Sequence, residues 1–194
     1  MSLALTAYRL LTRMLEPLAP RLLDARAKQG KEDPRRVDER LGVAGAARPP
    51  GDLVWLHGVS VGETLSLLPV VERFKKSRPD LTVLVTSGTV TSAELLAQRL
   101  PPGVIHQFAP VDAPGAVAAF LDHWRPALGV FVESELWPNL IVAAKARGVP
   151  LALVSARITE KTAEGWARFP GAARTVISAF DRILPQDIVS ADRI

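Results

Sequence analysis

The sequence predicts a doubly wound α/β fold, in which helices cover both faces of one parallel sheet. After a Pro/Gly break at residues 48–51, short apolar runs alternate with amphipathic stretches. This alternation is typical of strands and helices in a parallel sheet. The chain has 194 residues and is 48% hydrophobic, so it is long enough for one well-buried core but too short for two large domains.

Six strands are placed by their apolar runs. They are predicted at about residues 53–57, 81–86, 104–108, 127–132, 151–155 and 182–185. Helices fill the gaps: Asp112 is expected to cap a helix with Pro114 in its first turn, and Pro138 to open a helix that Gly148 ends. No internal repeat is evident, so we expect a Rossmann-like domain over residues 51–194 with right-handed crossovers.

Residues 1–50 are interpreted as a basic, amphipathic N-terminal arm. They hold ten basic and six acidic side chains, whereas residues 51–194 are neutral overall. The arm opens with an apolar stripe at helical spacing, which comprises Leu3, Ala7, Leu10, Leu11, Met14, Leu15, Leu18 and Leu22. The charges between these residues match neither a spanning helix nor a signal peptide.

We predict that residues 1–30 lie on an anionic membrane surface. Nearby basic side chains would add electrostatic attraction, namely Arg26, Lys28, Lys31, Arg35, Arg36 and Arg40. The alternative is an amphipathic helix that packs on its own domain or on a neighbouring protein. Nucleic acid is not an expected partner, because basic and aromatic residues are not interleaved along one face.

The composition excludes several kinds of chemistry. The chain has no cysteine, which rules out disulfides, thiolate catalysis and the usual structural zinc sites. Its three histidines, His57, His106 and His123, do not have the spacing of metal ligands. The absence of cysteine is compatible with a reducing, cytoplasmic environment.

The run HGVSVGE, at residues 57–63, joins the first predicted strand to an amphipathic helix. Glu63 therefore stands at a strand-to-helix turn, where open α/β sheets bind ligands. A capping box is the alternative interpretation, since Ser60 and Glu63 have the S-x-x-E spacing that satisfies backbone donors at a helix start.

Polar side chains also follow the later strands, and we expect them at the same sheet edge. They include Thr86, Ser87, Thr89, Asp112, Glu133, Glu135, Ser155 and Arg157. Helix capping does not require Glu133 and Glu135 beside the apolar run at residues 136–138. This acidic pair favours the recognition of hydroxyl groups, or the activation of one.

Three motifs together carry a family resemblance. HGVSVGET (57–64), ESELWPN (133–139) and SARIT (155–159), in this order and spacing, resemble the N-terminal domain of bacterial 3-deoxy-D-manno-octulosonic acid (Kdo) transferases. The resemblance implies a GT-B type enzyme with two Rossmann-like domains at the cytoplasmic face of the bacterial inner membrane. It implies inverting transfer of Kdo from CMP-Kdo to a lipid A precursor, with no metal or other cofactor.

The resemblance also implies roles for individual residues. Glu63 would be the general base that takes the proton from the attacking hydroxyl of the acceptor. The residues expected to bind the acceptor are Ser60, Gly62, Glu133, Glu135 and Arg157. Within this set, Ser60 can instead serve as a helix cap, and Arg157 can form a surface ion pair rather than hold a phosphate.

Family members continue for about another domain, so the C-terminal donor-binding half is expected to be absent from these 194 residues. We therefore expect no transferase activity from this chain alone. Two other functions are compatible with the pattern: a non-catalytic, membrane-associated module that binds a sugar or a protein, and half of another GT-B relative such as a nucleotide-sugar epimerase.

Overall fold

The computed structural model describes residues 2–194. In chain order the elements are α1 (Leu3–Leu15), α2 (Ala19–Ala27), α3 (Val37–Arg40), β1 (Leu53–His57), α4 (Val61–Ser77), β2 (Thr82–Ser87), α5 (Val90–Arg99), β3 (Val104–Phe108), α6 (Pro114–Trp124), β4 (Leu128–Val132), α7 (Pro138–Ala146), β5 (Leu151–Ala156), α8 (Glu160–Ala167), α9 (Pro170–Ile177), β6 (Arg182–Pro185) and α10 (Ile188–Asp192). All six predicted strands are confirmed, with boundaries that differ by no more than one residue.

The six strands form one parallel sheet in the order β3-β2-β1-β4-β5-β6. This order confirms the predicted doubly wound, Rossmann-like fold. The chain winds outwards in one direction from β1 and in the other direction from β4. These two strands are neighbours, with His57 opposite Phe131, so their carboxyl ends define the switch point at which such folds bind ligands.

Helices cover both faces of the sheet. On one face, a cluster of aromatic and aliphatic side chains that includes Trp55, Phe120 and Phe131 packs beneath the helices α6, α7 and α9. On the other face, a cluster that includes Leu56 and Leu67 packs beneath α4 and α5. Strands that alternate between two buried faces read as continuous apolar runs, which is why the strand positions could be predicted.

The helix starts differ from the prediction at one position. Pro114 and Pro138 do occupy the first turns of α6 and α7. Asp112, however, does not cap α6: its carboxylate accepts hydrogen bonds from the backbone N–H groups of Asn139 and Leu140, at the start of α7. The prediction was wrong because a carboxylate from elsewhere in the chain, that of Glu16, accepts from the first free N–H groups of α6.

The N-terminal arm packs on the domain through one face of α1. Leu5 is buried against the core, and the hydroxyl of Tyr8 donates a 2.9 Å hydrogen bond to Asp112. The predicted apolar stripe lies on the opposite face and is exposed: Leu3 is 90% exposed and Met14 78%. None of the helices within residues 2–194 combines the length and the apolar character that a membrane-spanning segment requires.

Part of the positive charge of the arm is turned inwards. Arg40 is buried, forms an ion pair with Glu32 and donates to the backbone carbonyl of Ala109. Arg36 forms a two-pronged ion pair with Glu39 and also donates to the backbone carbonyl of His106 in the domain. These arginines therefore attach the arm to the domain, and they do not provide the free surface charge that was expected of them. The boundary at residue 50 stays a prediction.

Candidate functional site

Three acidic side chains meet at the switch point of the sheet. Glu63 lies in the first turn of α4, directly after β1, whereas Glu133 and Glu135 lie in the loop after β4. The turns are close: a Cβ at Gly58 would lie 3.0 Å from the Val132 side chain and 3.1 Å from the Cβ of Glu63. The charges of Glu63 and Glu133 both raise the pKa of Glu135. The predicted convergence of these carboxylates at one sheet edge is therefore observed.

Glu63 is nearly buried, with 8% of its surface exposed. One carboxylate oxygen accepts a 2.7 Å hydrogen bond from the backbone N–H of Val59, and the other accepts a 2.6 Å bond from the hydroxyl of Ser60. The Ser60 hydroxyl in turn accepts from the N–H of Glu63. The capping box is thus present, with Val59 in place of the usual cap residue as the backbone donor. Each carboxylate oxygen retains a lone pair for a ligand.

Capping and ligand contact are therefore compatible roles for Glu63. Its carboxylate is held in one orientation by two donors before any ligand arrives, as a preorganised catalytic group must be. Gly62 is exposed in the first turn of α4, and a Cβ there would have no neighbour within 4 Å. This opening lets a ligand approach the backbone one residue before Glu63.

Glu135 is the carboxyl group whose protonation is most changed by the fold. Burial and the negative charges of Glu63 and Glu133 raise its pKa to about 7, although the indole N–H of Trp137 donates to it and opposes the shift. A group with a pKa near neutrality can both donate and accept a proton under physiological conditions. Trp137 could not be predicted as this donor, because in the sequence the residue reads as part of an apolar run.

His57 packs against Trp137 in the loop after β4. The imidazole is completely buried, and its ring centre lies 6.1 Å from that of Trp137 in an edge-to-face arrangement. Burial, with a smaller effect of the positive charge of Arg40, lowers the pKa of His57 to about 3. The ring is therefore neutral and serves as a packing surface for Trp137, which holds Glu135.

The backbone is strained where the loops after β4 and β5 meet. Glu133 has a φ of 56° and Ser155 a φ of 50°, in the left-handed region that disfavours side chains of this kind. The two segments are joined, because Glu133 donates to the carbonyl of Val154 and accepts from the N–H of Arg157. Strained residues of this type concentrate at functional sites. Neither residue is a glycine or an asparagine, so the sequence carried no signal of this conformation.

Arg157 follows β5, and its backbone N–H donates to the carbonyl of Glu133. Its side chain is exposed, and within residues 2–194 its guanidinium forms no ion pair. Hydrogen bonds from Ser190 lower the pKa of Asp187 and the charge of Arg157 adds to this effect, so a surface charge interaction of Arg157 stays an open alternative. The same residues also contain no cluster of three or more histidine or acidic side chains arranged to hold a metal ion. The roles assigned to Ser60, Gly62, Glu63, Glu133, Glu135 and Arg157 stay predictions.

Comparison with known proteins identifies the family. The family model described as "3-Deoxy-D-manno-octulosonic-acid transferase (kdotransferase)" matches residues 35–194. A probable mitochondrial 3-deoxy-D-manno-octulosonic acid transferase of Arabidopsis thaliana is 43% identical over 82% of this chain and 36% of its own length. The 3-deoxy-D-manno-octulosonic acid transferases of Rickettsia bellii and Bordetella pertussis are each 37% identical over 92% of this chain and 43% of their own lengths.

The chain thus spans about two fifths of the length of these relatives. Among solved structures, a UDP-GlcNAc 2-epimerase from Neisseria meningitidis bound to UDP-GlcNAc aligns with a TM-score of 0.52 at 12% identity, over 74% of this chain and 42% of that one. At this identity the likeness concerns the fold alone. The family match covers the three carboxylates and the strands that place them, and by that match the chain belongs to the 3-deoxy-D-manno-octulosonic acid transferase family of glycosyltransferases.

Proposed function

We propose that this chain is the acceptor-binding part of an inverting glycosyltransferase that moves Kdo from CMP-Kdo to a lipid A precursor in lipopolysaccharide biosynthesis. The observation that carries the proposal is the convergence of Glu63, Glu133 and Glu135 at the switch point between β1 and β4. We propose that contacts to the donor are made by a further domain, as in GT-B enzymes, and that the 194 residues alone do not catalyse transfer.

In the proposed reaction, a sugar hydroxyl of the acceptor attacks the anomeric carbon of Kdo while the bond to CMP breaks. Glu63 takes the hydroxyl proton as the new bond forms, and CMP leaves with the electron pair of the broken bond. Glu135 and Glu133 hold neighbouring hydroxyl groups of the acceptor, and Arg157 pairs with a phosphate. The proposed transfer is metal-independent, with side chains alone as the proton acceptor and the binding groups.

The test of the catalytic role is Glu63→Gln, in this chain joined to the donor-binding half of the Bordetella pertussis relative. Glutamine keeps the shape of the side chain and can still accept from Val59, but it cannot take a proton. Turnover should fall by about 10²–10⁴-fold, with acceptor affinity nearly unchanged.

The matched control is Thr89→Ala, which removes the side chain that caps α5. This variant should lower the free energy of unfolding by about 0.5–2 kcal/mol, the usual effect of losing a helix cap. It leaves all three carboxylates in place. Turnover that survives Glu63→Gln would make Glu63 a cap alone. Absence of turnover in the joined chain that retains Glu63 would favour the non-catalytic binding module over the enzyme.

We also propose that residues 1–30 lie on the cytoplasmic face of the bacterial inner membrane. Seven large apolar side chains of α1, α2 and the turn between them are each more than half exposed: Leu3, Leu10, Leu11, Met14, Leu15, Leu18 and Leu22. Exposed arginines flank them at positions 9, 13 and 21. An apolar stripe bordered by basic side chains is the pattern of a helix that lies in the interface of an anionic bilayer.

Flotation with anionic vesicles tests this membrane proposal. The double variant Leu11→Gln, Met14→Gln removes two exposed apolar side chains and should weaken binding at least tenfold, at about 1–2 kcal/mol for each side chain. The control is Ile188→Gln, because Ile188 is 81% exposed on α10, outside the arm. Equal loss of binding in both variants, or no loss in either, would contradict a specific role of the stripe.

A further inference from the structure

An apolar groove runs between α1 and the pair α8–α9, immediately beside the carboxylates. Its volume is about 500 Å³, within the range of about 300–1,000 Å³ that is usual for ligand sites. Leu5 lies on one wall, Trp166 and Phe169 lie on the other, and Leu136 and Pro138 close the end towards the loop after β4. The groove therefore reaches the segment that carries Glu135.

The polar atoms of the side chains around the groove are mostly engaged elsewhere. The Tyr8 hydroxyl donates to Asp112, so only the ring of Tyr8 is left for the groove. The hydroxyl of Thr162 is hydrogen-bonded to that of Thr159. Lys161 is the one charged residue on the walls of this groove. A ligand inside it would find apolar surface and few hydrogen-bonding partners, which favours hydrocarbon over a sugar or a nucleotide.

One wall of the groove is kept open by a glycine inside a helix. Gly165 lies within α8, and a Cβ at this position would meet no atom within 4 Å. Glycine in a helix interior costs about 0.5–1 kcal/mol relative to alanine. No packing in the described residues requires this glycine, and its effect is to leave room in the groove.

The groove shares one structural element with each of two surfaces described above. At one end it shares the Leu136–Pro138 segment with the carboxylate site. Along one side it is bordered by α1, whose outer face carries the exposed apolar stripe. A molecule with a polar sugar at the carboxylates and a hydrocarbon chain directed towards a membrane would pass through this groove.

We propose that the groove between α1 and α8–α9 binds one acyl chain of the lipid acceptor while its sugar lies at Glu63 and Glu135. The inference rests on the proposed function and names a second contact region of the same substrate. It makes the enzyme recognise hydrocarbon as well as sugar, so that acceptors without acyl chains bind weakly.

Titration of this chain with N-acylglucosamines that carry 6, 8 or 10 carbons tests the proposal. Each methylene that enters an apolar site contributes about fourfold in affinity. We expect that increment in the wild-type chain. In Gly165→Leu, which adds a side chain to the groove lining at a position where a Cβ meets no atom within 4 Å, the increment should fall below about twofold. Gly165→Met is a second blocking variant, with a more flexible side chain, in case the leucine disturbs folding.

The matched control is Ala97→Leu, at an exposed position of α5 on the other side of the sheet. This variant should retain the increment in affinity per methylene.

Three results would overturn the proposal. An unchanged increment in Gly165→Leu would overturn the proposal. Loss of the increment in Leu11→Gln but not in Gly165→Leu would place the chain on the exposed stripe, which also overturns it. A dimer seen by light scattering that dissociates in Gly165→Leu would show that a second copy fills the groove, with the same consequence.

The proposed function can fail separately from this inference. If decanol shows the same dependence on Gly165, and Glu135→Gln does not weaken any N-acylglucosamine, the groove binds hydrocarbon but the carboxylates do not bind the sugar. In the expected outcome, Glu135→Gln weakens all N-acylglucosamines by a common factor and leaves the increment per methylene unchanged.

Discussion

The cluster of carboxylates should make the domain less stable as the pH rises, and Glu135→Gln should remove that effect. The pKa of Glu135 is about 7 in the folded chain, chiefly because of burial, against an ordinary value of 4.5. Between these two pH values the folded chain holds a proton that the unfolded chain has released. Each rise in pH within this window therefore favours unfolding, and above about pH 7 the loss is complete.

The size of the effect follows from the two pKa values. A carboxyl group with a pKa of about 7 when folded and 4.5 when unfolded would lose roughly 3 kcal/mol across the window if no water screened it. Glu135 is only half-buried, so we expect about 1–2 kcal/mol after screening. The same loss lowers the melting temperature by roughly 2–8 °C for a domain of this size.

Two histidines, one buried and one partly buried, act in the opposite direction and must be separated from Glu135. Burial, as the main cause, lowers the pKa of both His57 and His106 to about 3, so both stay neutral in the folded chain and become charged on unfolding below about pH 6.5. They destabilise the domain as the pH falls. The quantity to compare at each pH is therefore the difference in the free energy of unfolding between the wild type and Glu135→Gln.

Urea denaturation at pH 4, 5, 6, 7 and 8 measures this difference. At pH 4, below the ordinary pKa of 4.5, the neutral carboxyl group and the amide should give nearly equal free energies of unfolding. At pH 8 the glutamine variant should be more stable by about 1–2 kcal/mol, since it has no charge to desolvate beside Glu63 and Glu133. A difference that stays constant within about 0.3 kcal/mol across this range would refute the argument that burial and neighbouring charges set the protonation of Glu135.

Two further predictions concern the turn and the arm. Gly62→Ala should raise the free energy of unfolding by about 0.5–1 kcal/mol, because alanine favours the helix and the new methyl group meets no atom within 4 Å. The same variant should lower the affinity for the acceptor. Unchanged affinity in the titration with N-acylglucosamines would show that Gly62 does not contact the ligand. Tyr8→Phe should cost about 1–2 kcal/mol in urea denaturation, and Asp112→Ala about 2–4 kcal/mol, because the alanine variant also leaves the first N–H groups of α7 without an acceptor. Equal costs for these two variants would contradict the capping role of Asp112.

The strands could be predicted because their information is local. Apolar runs bounded by turn residues mark β1 to β6, and the carboxyl ends of parallel strands share one edge of a sheet. That Glu63, Glu133 and Glu135 occupy the same edge therefore followed from the sequence. Their position at the switch point did not, because it depends on the pairing of β1 with β4, two strands that are about 70 residues apart in the chain.

Contacts between distant residues account for the wrong predictions. Asp112 caps α7 rather than α6, because folding brings Glu16 to the start of α6 and leaves Asp112 beside α7. Arg36 and Arg40 read as surface charges, yet their guanidinium groups donate to the backbone carbonyls of His106 and Ala109, about 70 residues further along the chain. Local patterns establish that a residue can cap or carry charge, but the partner is chosen by the tertiary structure.

The arm and the sheet edge behave as one unit because a buried carboxylate joins them. Asp112 accepts from Tyr8 of α1 and from the first N–H groups of α7, and α7 begins directly after the loop that carries Glu135. Burial raises the pKa of Asp112, and the two backbone donors oppose that shift, so the bonds to the arm and to the loop depend on the same group. If the apolar stripe lies on the membrane as proposed, this linkage fixes the carboxylates at a constant height above the lipid. An acceptor sugar can then reach Glu135 while its acyl chains remain in apolar surroundings throughout transfer.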